Sequence, residues 1–153
     1  MQHEIKLFPG ARLRSMKEED CAVAAGLDAE CPVEGQAPCS ASVFRSRLGA
    51  SGYYQFLVEL GSSAVGVVAI KIDVDKEELD FLKICLNDSG RGLGHKVILA
   101  IKEFGRQNGA THIVGRCPPK LFKFYEEVGA YKTGEIPHFF GIGKPAIALR
   151  AEL

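Results

Sequence analysis

Eight consecutive residues carry the densest chemistry in this chain: Ser89, Gly90, Arg91, Gly92, Leu93, Gly94, His95 and Lys96. Three glycines let a backbone turn tightly and approach a ligand without side-chain obstruction. The helix pattern that follows would leave its first N–H groups without partners, and its dipole adds positive potential there. Together they make a seat for a phosphate or pyrophosphate, with Arg91 and Lys96 as charge-assisted contacts. Two known phosphate loops do not fit. A Walker A loop needs Gly and then Lys-Ser/Thr after four spacers, but here His95 stands in the Gly position and Val97 follows Lys96. The dinucleotide fingerprint needs a third glycine where His95 stands.

Other candidates are scattered. Tyr125 sits in Phe124-Tyr-Glu-Glu-Val-Gly-Ala-Tyr131, on a helix where it could also be a core aromatic. Asp80 and Glu78 flank the start of the strand that leads to the glycine loop, two residues apart, where surface charge alone would explain them. Period-two alternation puts Asp80, Leu82, Ile84 and Leu86 on one face. His138 precedes Phe139-Phe140 in a segment rich in turn formers. The five cysteines (Cys21, Cys31, Cys39, Cys85, Cys117) form no CxxC and no Cys/His pair of zinc spacing, so the expectation is free thiols, a reducing compartment and no metal. Cys85 has no activating base near it in sequence and reads as a small buried apolar residue.

The elements that must hold these residues follow from periodicity. A first short strand is expected at 12–16, and a helix at about 17–27 with Lys-Glu-Glu-Asp in its first turn. An irregular loop follows at 31–42, then a short helix at 42–49. Strands are expected at 54–60, 65–74 and 79–86, the first two joined by Gly61-Ser-Ser. The clearest helix is 92–107, where Leu93, Val97, Ile98, Ile101 and Phe104 make one stripe. After it come a short strand at 111–115, a helix opened by Pro118-Pro119 and closed by Gly129, and strands at 131–135 and 146–153. Residues 137–143 read as strand or loop. The order is mixed α/β, with an antiparallel first half and helical crossovers in the second.

Composition bounds the rest. The chain has 153 residues, 46% apolar, with 19 basic and 19 acidic side chains. That suits one domain over 1–153 and argues against a general nucleic-acid binder. The zero net charge hides a split: residues 1–81 hold 8 basic and 13 acidic side chains, residues 82–153 hold 11 and 6. The basic half contains the glycine loop, which suits an anionic ligand. No stretch is apolar enough for a membrane helix, and the start lacks a signal-peptide pattern. A cytoplasmic protein with no membrane partner is the expectation.

Ser89-x-x-Gly92-x-Gly94 at a strand-to-helix turn resembles the [QR]-x-x-G-x-[GA] acetyl-CoA motif of the Gcn5-related N-acetyltransferases. The stretch Phe124 to Tyr131 resembles that family's second signature, an aromatic-Tyr-x-x-x-Gly-aromatic pattern. The element order is also similar. The resemblance implies a central mixed sheet of six to seven strands flanked by about four helices. It implies acetyl-CoA as co-substrate, transfer to a primary amine by direct attack in a ternary complex, and a small-molecule or peptide acceptor. A homodimer is also common in such enzymes. Ile84, Cys85 and Leu86 would pair with the pantetheine. Ser89 to Lys96 would hold the pyrophosphate, Phe124 would border the cofactor, and Tyr125 would protonate the leaving thiolate. Asp80 or Glu78 would serve as base. The acceptor pocket would involve the loop region 31–54 with Tyr53 and Tyr54, and also His138 and Phe139. Ser89 replaces the usual Gln/Arg, and Pro118 stands where Asn is common. The alternative is a non-catalytic acyl-CoA-binding or sensor module on the same fold.

Overall fold

The computed structural model describes residues 2–31, 37–87 and 92–153. Its centre is one eight-stranded sheet: β1 (Glu4–Phe8), β2 (Ala11–Ser15), β3 (Tyr53–Leu60), β4 (Ser63–Asp73), β5 (Glu78–Leu86), β6 (His112–Cys117), β7 (Tyr131–Ile136) and β8 (Ala146–Glu152). The strand order is β1-β2-β3-β4-β5-β6-β8-β7. Every neighbouring pair is antiparallel except β5 and β6. These two are parallel because a helix joins them, and a parallel return needs a crossover longer than a turn.

Among the described residues, four α-helices cover the sheet: α1 (Cys21–Glu30), α2 (Ala41–Arg47), α3 (Leu93–Gln107) and α4 (Phe122–Glu127). Alternation along the strands decides which helix each residue meets. Phe56, Val58, Val68, Ile70 and Leu79 pack beneath the α3 stripe of Leu93, Val97, Ile101 and Phe104. Leu57 and Val67 point the other way and pack with Cys21, Ala24 and Phe44 of α1 and α2. α3 extends beyond the middle of the sheet to meet α4, where the Lys102 ammonium donates to the Val128 carbonyl at 3.1 Å.

The expected mixed α/β architecture is observed, with three differences. An extra edge strand, β1, hairpins onto β2 through Pro9-Gly10, where Gly10 takes a φ of +88°. Ile5 and Leu7 alternate with polar residues there, a pattern too short to stand out. The first helix begins as a 3₁₀ turn, Glu18–Asp20, before α1. Residues 137–145 are turns, not a strand, and β8 returns between β6 and β7.

Candidate active site

The two parallel strands part where the sequence changes character. β5 and β6 pair over only three rungs, Glu78↔His112, Leu79↔Ile113 and Asp80↔Val114, although β5 runs on to Leu86 and β6 to Cys117. Beyond Asp80 the β5 backbone has lost its ladder partner on that side. Its exposed amide and carbonyl groups can therefore pair with an extended ligand arm that carries amides of its own. The wedge opens into a cleft with a cavity volume of about 100 Å³, lined by Phe81, Ile84, Ile98, Tyr125, Val128 and Phe140 among others.

A bulge sits where this wedge begins. The register against β4 runs Ala69↔Lys83 and then Ile70↔Phe81, so Leu82 is the extra residue.

 The bulge reverses the alternation of the strand. Leu79 and Phe81 face α3, and so do Ile84 and Leu86, while Asp80, Lys83 and Cys85 face the α1 side. The expected single face of Asp80, Leu82, Ile84 and Leu86 is therefore corrected: strict period two does not survive an inserted residue.

α3 begins at Leu93, where the spacing predicts a helix. Gly92 is the residue before the helix, with φ +68°, a left-handed conformation that disfavours a side chain. The first intrahelical bond runs from the Lys96 N–H to the Gly92 carbonyl, so the amides before Lys96 have no acceptor within the helix. Gly94 faces α4 closely: a Cβ built there would lie 3.0 Å from Phe124 Cζ. The Phe124 ring also lies 5.0 Å from that of His95, whose Nε2 is 3.2 Å from Glu127. Leu93 points into the core, and the Lys96 side chain is exposed. Ser89, Gly90 and Arg91 lie outside the described residues.

Tyr125 lines the cleft and packs with Cys117, Ile147 and Leu149. Burial pushes its phenol up to about 12, with Cys117 and Cys31 adding to the shift. The hydroxyl thus keeps its proton across the whole physiological range and is available as a proton donor. Cys85 is buried on the α1 side, where its thiol donates to Leu27 O at 3.4 Å and Asn87 Oδ1 at 3.2 Å. Burial, followed by a hydrogen bond with Cys31, raises its pKa well above the ordinary thiol value, so no thiolate is available.

The two carboxylates stand on one face at the closed end of the wedge. Asp80 belongs to the last paired rung, and Arg116 Nη2 donates to both its oxygens, at 3.1 and 3.4 Å. Glu78 is one rung pair further from the cleft and lies 3.4 Å from His112 Nε2. Tyr53 shares their side of the sheet, because it pairs with Lys71 and Lys71 pairs with Asp80. Phe139 lies under the Arg116 guanidinium at 5.7 Å.

Two expected acceptor residues are placed elsewhere. Tyr54 points to the α3 side and packs edge-on against Phe104 at 5.1 Å, because neighbours on a strand face opposite ways. His138 takes a φ of +59° in a turn, where its Nδ1 accepts from the Gly143 N–H at 2.8 Å. It braces the loop, with no contact to the cleft. The loop region 31–54 is described except for 32–36, and its Cys39 N–H donates to Asp28 at 2.6 Å.

Sequence reasoning missed Lys83, Arg116 and Phe140. Lys83 had a readable signal: a lone cation inside an apolar strand. It lines the cleft and makes a buried ion pair with Asp28 at 3.0 Å. Arg116 and Phe140 had none, since their positions depend on which strands become neighbours. Among the described residues, no group of three or more His, Cys, Asp or Glu could hold a metal, and no helix is long and apolar enough to cross a membrane.

No protein-family profile matches the sequence, and no curated protein matches it. Solved structures match it by shape. A spermidine N-acetyltransferase from Vibrio cholerae in complex with CoA and spermine superposes with a TM-score of 0.81 at 16% identity, covering 95% of this chain and 96% of that one. The ribosomal-protein-S18-alanine N-acetyltransferase from Escherichia coli gives 0.79 at 14% identity, covering 93% of each. A dodecameric spermidine N-acetyltransferase from Vibrio cholerae gives 0.77 at 15%, covering 95% of each. The likeness is one of fold, and the fold is that of the Gcn5-related N-acetyltransferases, here with eight strands in place of the expected six to seven.

Proposed function

We propose that this chain is an N-acetyltransferase that moves acetyl from acetyl-CoA to a primary amine in a ternary complex. The observation that carries the reading is the wedge between β5 and β6, with unladdered strand backbone on one side and the protonated Tyr125 phenol inside. The fold shared with N-acetyltransferases, one of them a CoA complex, supports it.

In this reading the pantetheine arm lies along Ile84, Cys85 and Leu86, making main-chain bonds to β5. The pyrophosphate sits on the turn from Ser89 to His95, with Arg91 and Lys96 beside it and Phe124 bordering it. The thioester reaches the closed end of the wedge. The neutral amine nitrogen attacks the thioester carbon, a C–N bond forms and the C–S bond breaks; the second proton shed by the nitrogen returns through water to the Tyr125 oxygen after the phenol has protonated the sulfur. Tyr125 donates its hydroxyl hydrogen to the departing sulfur, which acts as the acid side of the reaction. An alkylammonium with a pKa near 10 must first lose a proton. Asp80 is nearer the wedge than Glu78, and its oxygens already hold Arg116. A water bonded to Asp80 is therefore the carrier of that proton in this reading. No resident metal takes part. Tyr53 and Phe139 flank the acceptor. The expectation of a homodimer and of a cytoplasmic location rests on the resemblance and on composition.

The test couples isothermal titration with acetyl-CoA to a thiol-release assay over an amine panel. Saturable binding and turnover of at least one amine class are expected. Binding without turnover on any amine would favour the sensor module, and no binding of acetyl-CoA would overturn both readings.

A further inference from the structure

Next to the cleft, the α1–α2 side of the sheet carries two cations that make no ion pair among the described residues. Directly paired residues on neighbouring strands point to one face. Tyr53, Lys71 and Asp80 therefore stand in one row across β3, β4 and β5. Lys71 Nζ lies 5.2 Å from the centre of the Tyr53 ring. Arg47, in the last turn of α2, places its Cζ 5.9 Å from the same centre.

The carboxylates nearby have other partners. Asp80 holds Arg116, Asp28 holds Lys83, Glu78 lies 3.4 Å from His112 Nε2, and Asp73, two residues along β4 from Lys71, accepts from the Lys76 N–H. Among the described residues, Arg47 and Lys71 make no ion pair, and Arg47 Nη1 is buried with no hydrogen-bond partner. A guanidinium offers five donors and no acceptor, and a buried donor left unmade costs free energy. Two cations held over one ring also repel each other. A carboxylate or phosphate beside Tyr53 would answer both demands.

We infer that Arg47 and Lys71 bind an anionic group on the acceptor, so that the substrates are primary amines carrying a carboxylate or phosphate. This deepens the proposed acetyl transfer and rests on it. The cations lie at β3 and β4, and the wedge lies between β5 and β6. The separation is about two strand spacings, roughly 10 Å. An amine joined to its anion by five or six carbons spans that gap once a hydrogen bond of about 2.8 Å is added at the anion. The spermine bound by the Vibrio cholerae enzyme has no such group. A polycation would meet repulsion from Arg47 and Lys71.

The experiment compares acetylation of hexylamine, 6-aminohexanoate, 6-aminohexyl phosphate and spermidine. The two anionic amines should exceed hexylamine at least tenfold in kcat/KM, mainly through KM, and spermidine should fall below it. Their relative rates tell carboxylate from phosphate. Arg47→Gln and Lys71→Gln should each bring 6-aminohexanoate down towards the hexylamine level, with acetyl-CoA binding intact. Equal use of charged and neutral amines, or a preference for spermidine, would overturn the inference. A binding titration of 6-aminohexanoate into the CoA-loaded protein separates the two proposals. If no amine is turned over, binding that both variants abolish keeps the anion site while acetyl transfer fails. Absence of binding together with absence of preference sinks the site itself.

Discussion

Tyr125 holds its proton because burial penalises the phenolate, which places its pKa near 12. Its hydroxyl hydrogen is therefore available at every pH at which the fold would be assayed. Replacing it with Phe removes the donor and leaves the ring packing in place. We expect Tyr125→Phe to lower kcat by about 100-fold, in the range of general acid catalysis, with acetyl-CoA affinity unchanged by titration. The kcat/KM profile should rise with pH as the amine deprotonates, and no descending limb from Tyr125 should appear below about pH 12. A full-rate Phe variant would remove the tyrosine from the mechanism. Gly94 offers a second test. Phe124 lies so close that Val in its place must push the ring away, at a cost of about 1–3 kcal/mol for an overpacked contact. Gly94→Val should weaken acetyl-CoA binding about tenfold and lower the melting temperature, both read by thermal shift with and without ligand. Both residues were legible in the sequence, since each belongs to a short motif whose spacing is local. Tyr54 was not, because its direction depends on which face of β3 meets α3.

At the scale of elements, β5 carries most of the site, and its bulge decides how. The Leu82 insertion sends Lys83 to the α1 side, where it meets Asp28 in a pair whose side chains are 6% and 2% exposed. Asp28 also accepts from the Cys39 N–H, so one carboxylate ties α1, the following loop and the cleft strand together. Lys83→Met would leave that carboxylate buried without its cation and should cost about 3–5 kcal/mol by denaturant unfolding. A Lys83→Met, Asp28→Leu double variant should recover part of the loss, because both charges are then gone. The other end of the α1 segment has a pair that is easier to titrate. Arg14 donates twice to Asp20, at 2.9 and 3.1 Å, and the Lys17 N–H adds 2.8 Å. These bonds, the Arg14 one first, hold the Asp20 carboxyl below its ordinary value. A lowered folded-state pKa adds stability above the unfolded value of about 3.9, and that stability is lost as pH falls through the folded value. Asp20→Asn should thus cost about 2 kcal/mol at pH 6, and the gap should close as the pH is taken below about 4, followed by thermal melts. The α3 stripe was readable from periodicity alone. The bulge was not, since nothing in Leu79–Leu86 marks which residue is squeezed out until β4 lies beside it.

For the whole molecule, the charge split of the sequence has a structural counterpart, though only in part. The basic second half contains the helix start and the turn where a pyrophosphate would sit. The acidic first half supplies the face beside the wedge, yet that face also holds Arg47 and Lys71, and its Asp80 is already paired with Arg116. Global composition averages over surfaces that the fold separates. If the cleft binds acetyl-CoA only in the folded state, ligand at 100 times its Kd should add about 2.7 kcal/mol of stability. A thermal-shift series against acetyl-CoA concentration reads this directly, and a flat series would argue against the cleft as its site. The same series at rising salt should show a smaller gain, because part of the affinity comes from phosphate charges.

By itself the sequence determined the local devices: the helix start after Gly92, the amphipathic α3 stripe, the tyrosine on the helix after Pro118-Pro119, and the mixed α/β order. Each is set by interactions within a few residues, so one stretch of chain is enough to specify it. Only the tertiary structure decided where β5 and β6 part, which residues share a face after the bulge, and that Arg47, Tyr53 and Lys71 meet beside Asp80. Those relations join residues dozens of positions apart through strand pairing. A one-residue change of register moves every side chain to the other face, so they exist only once the whole sheet has formed.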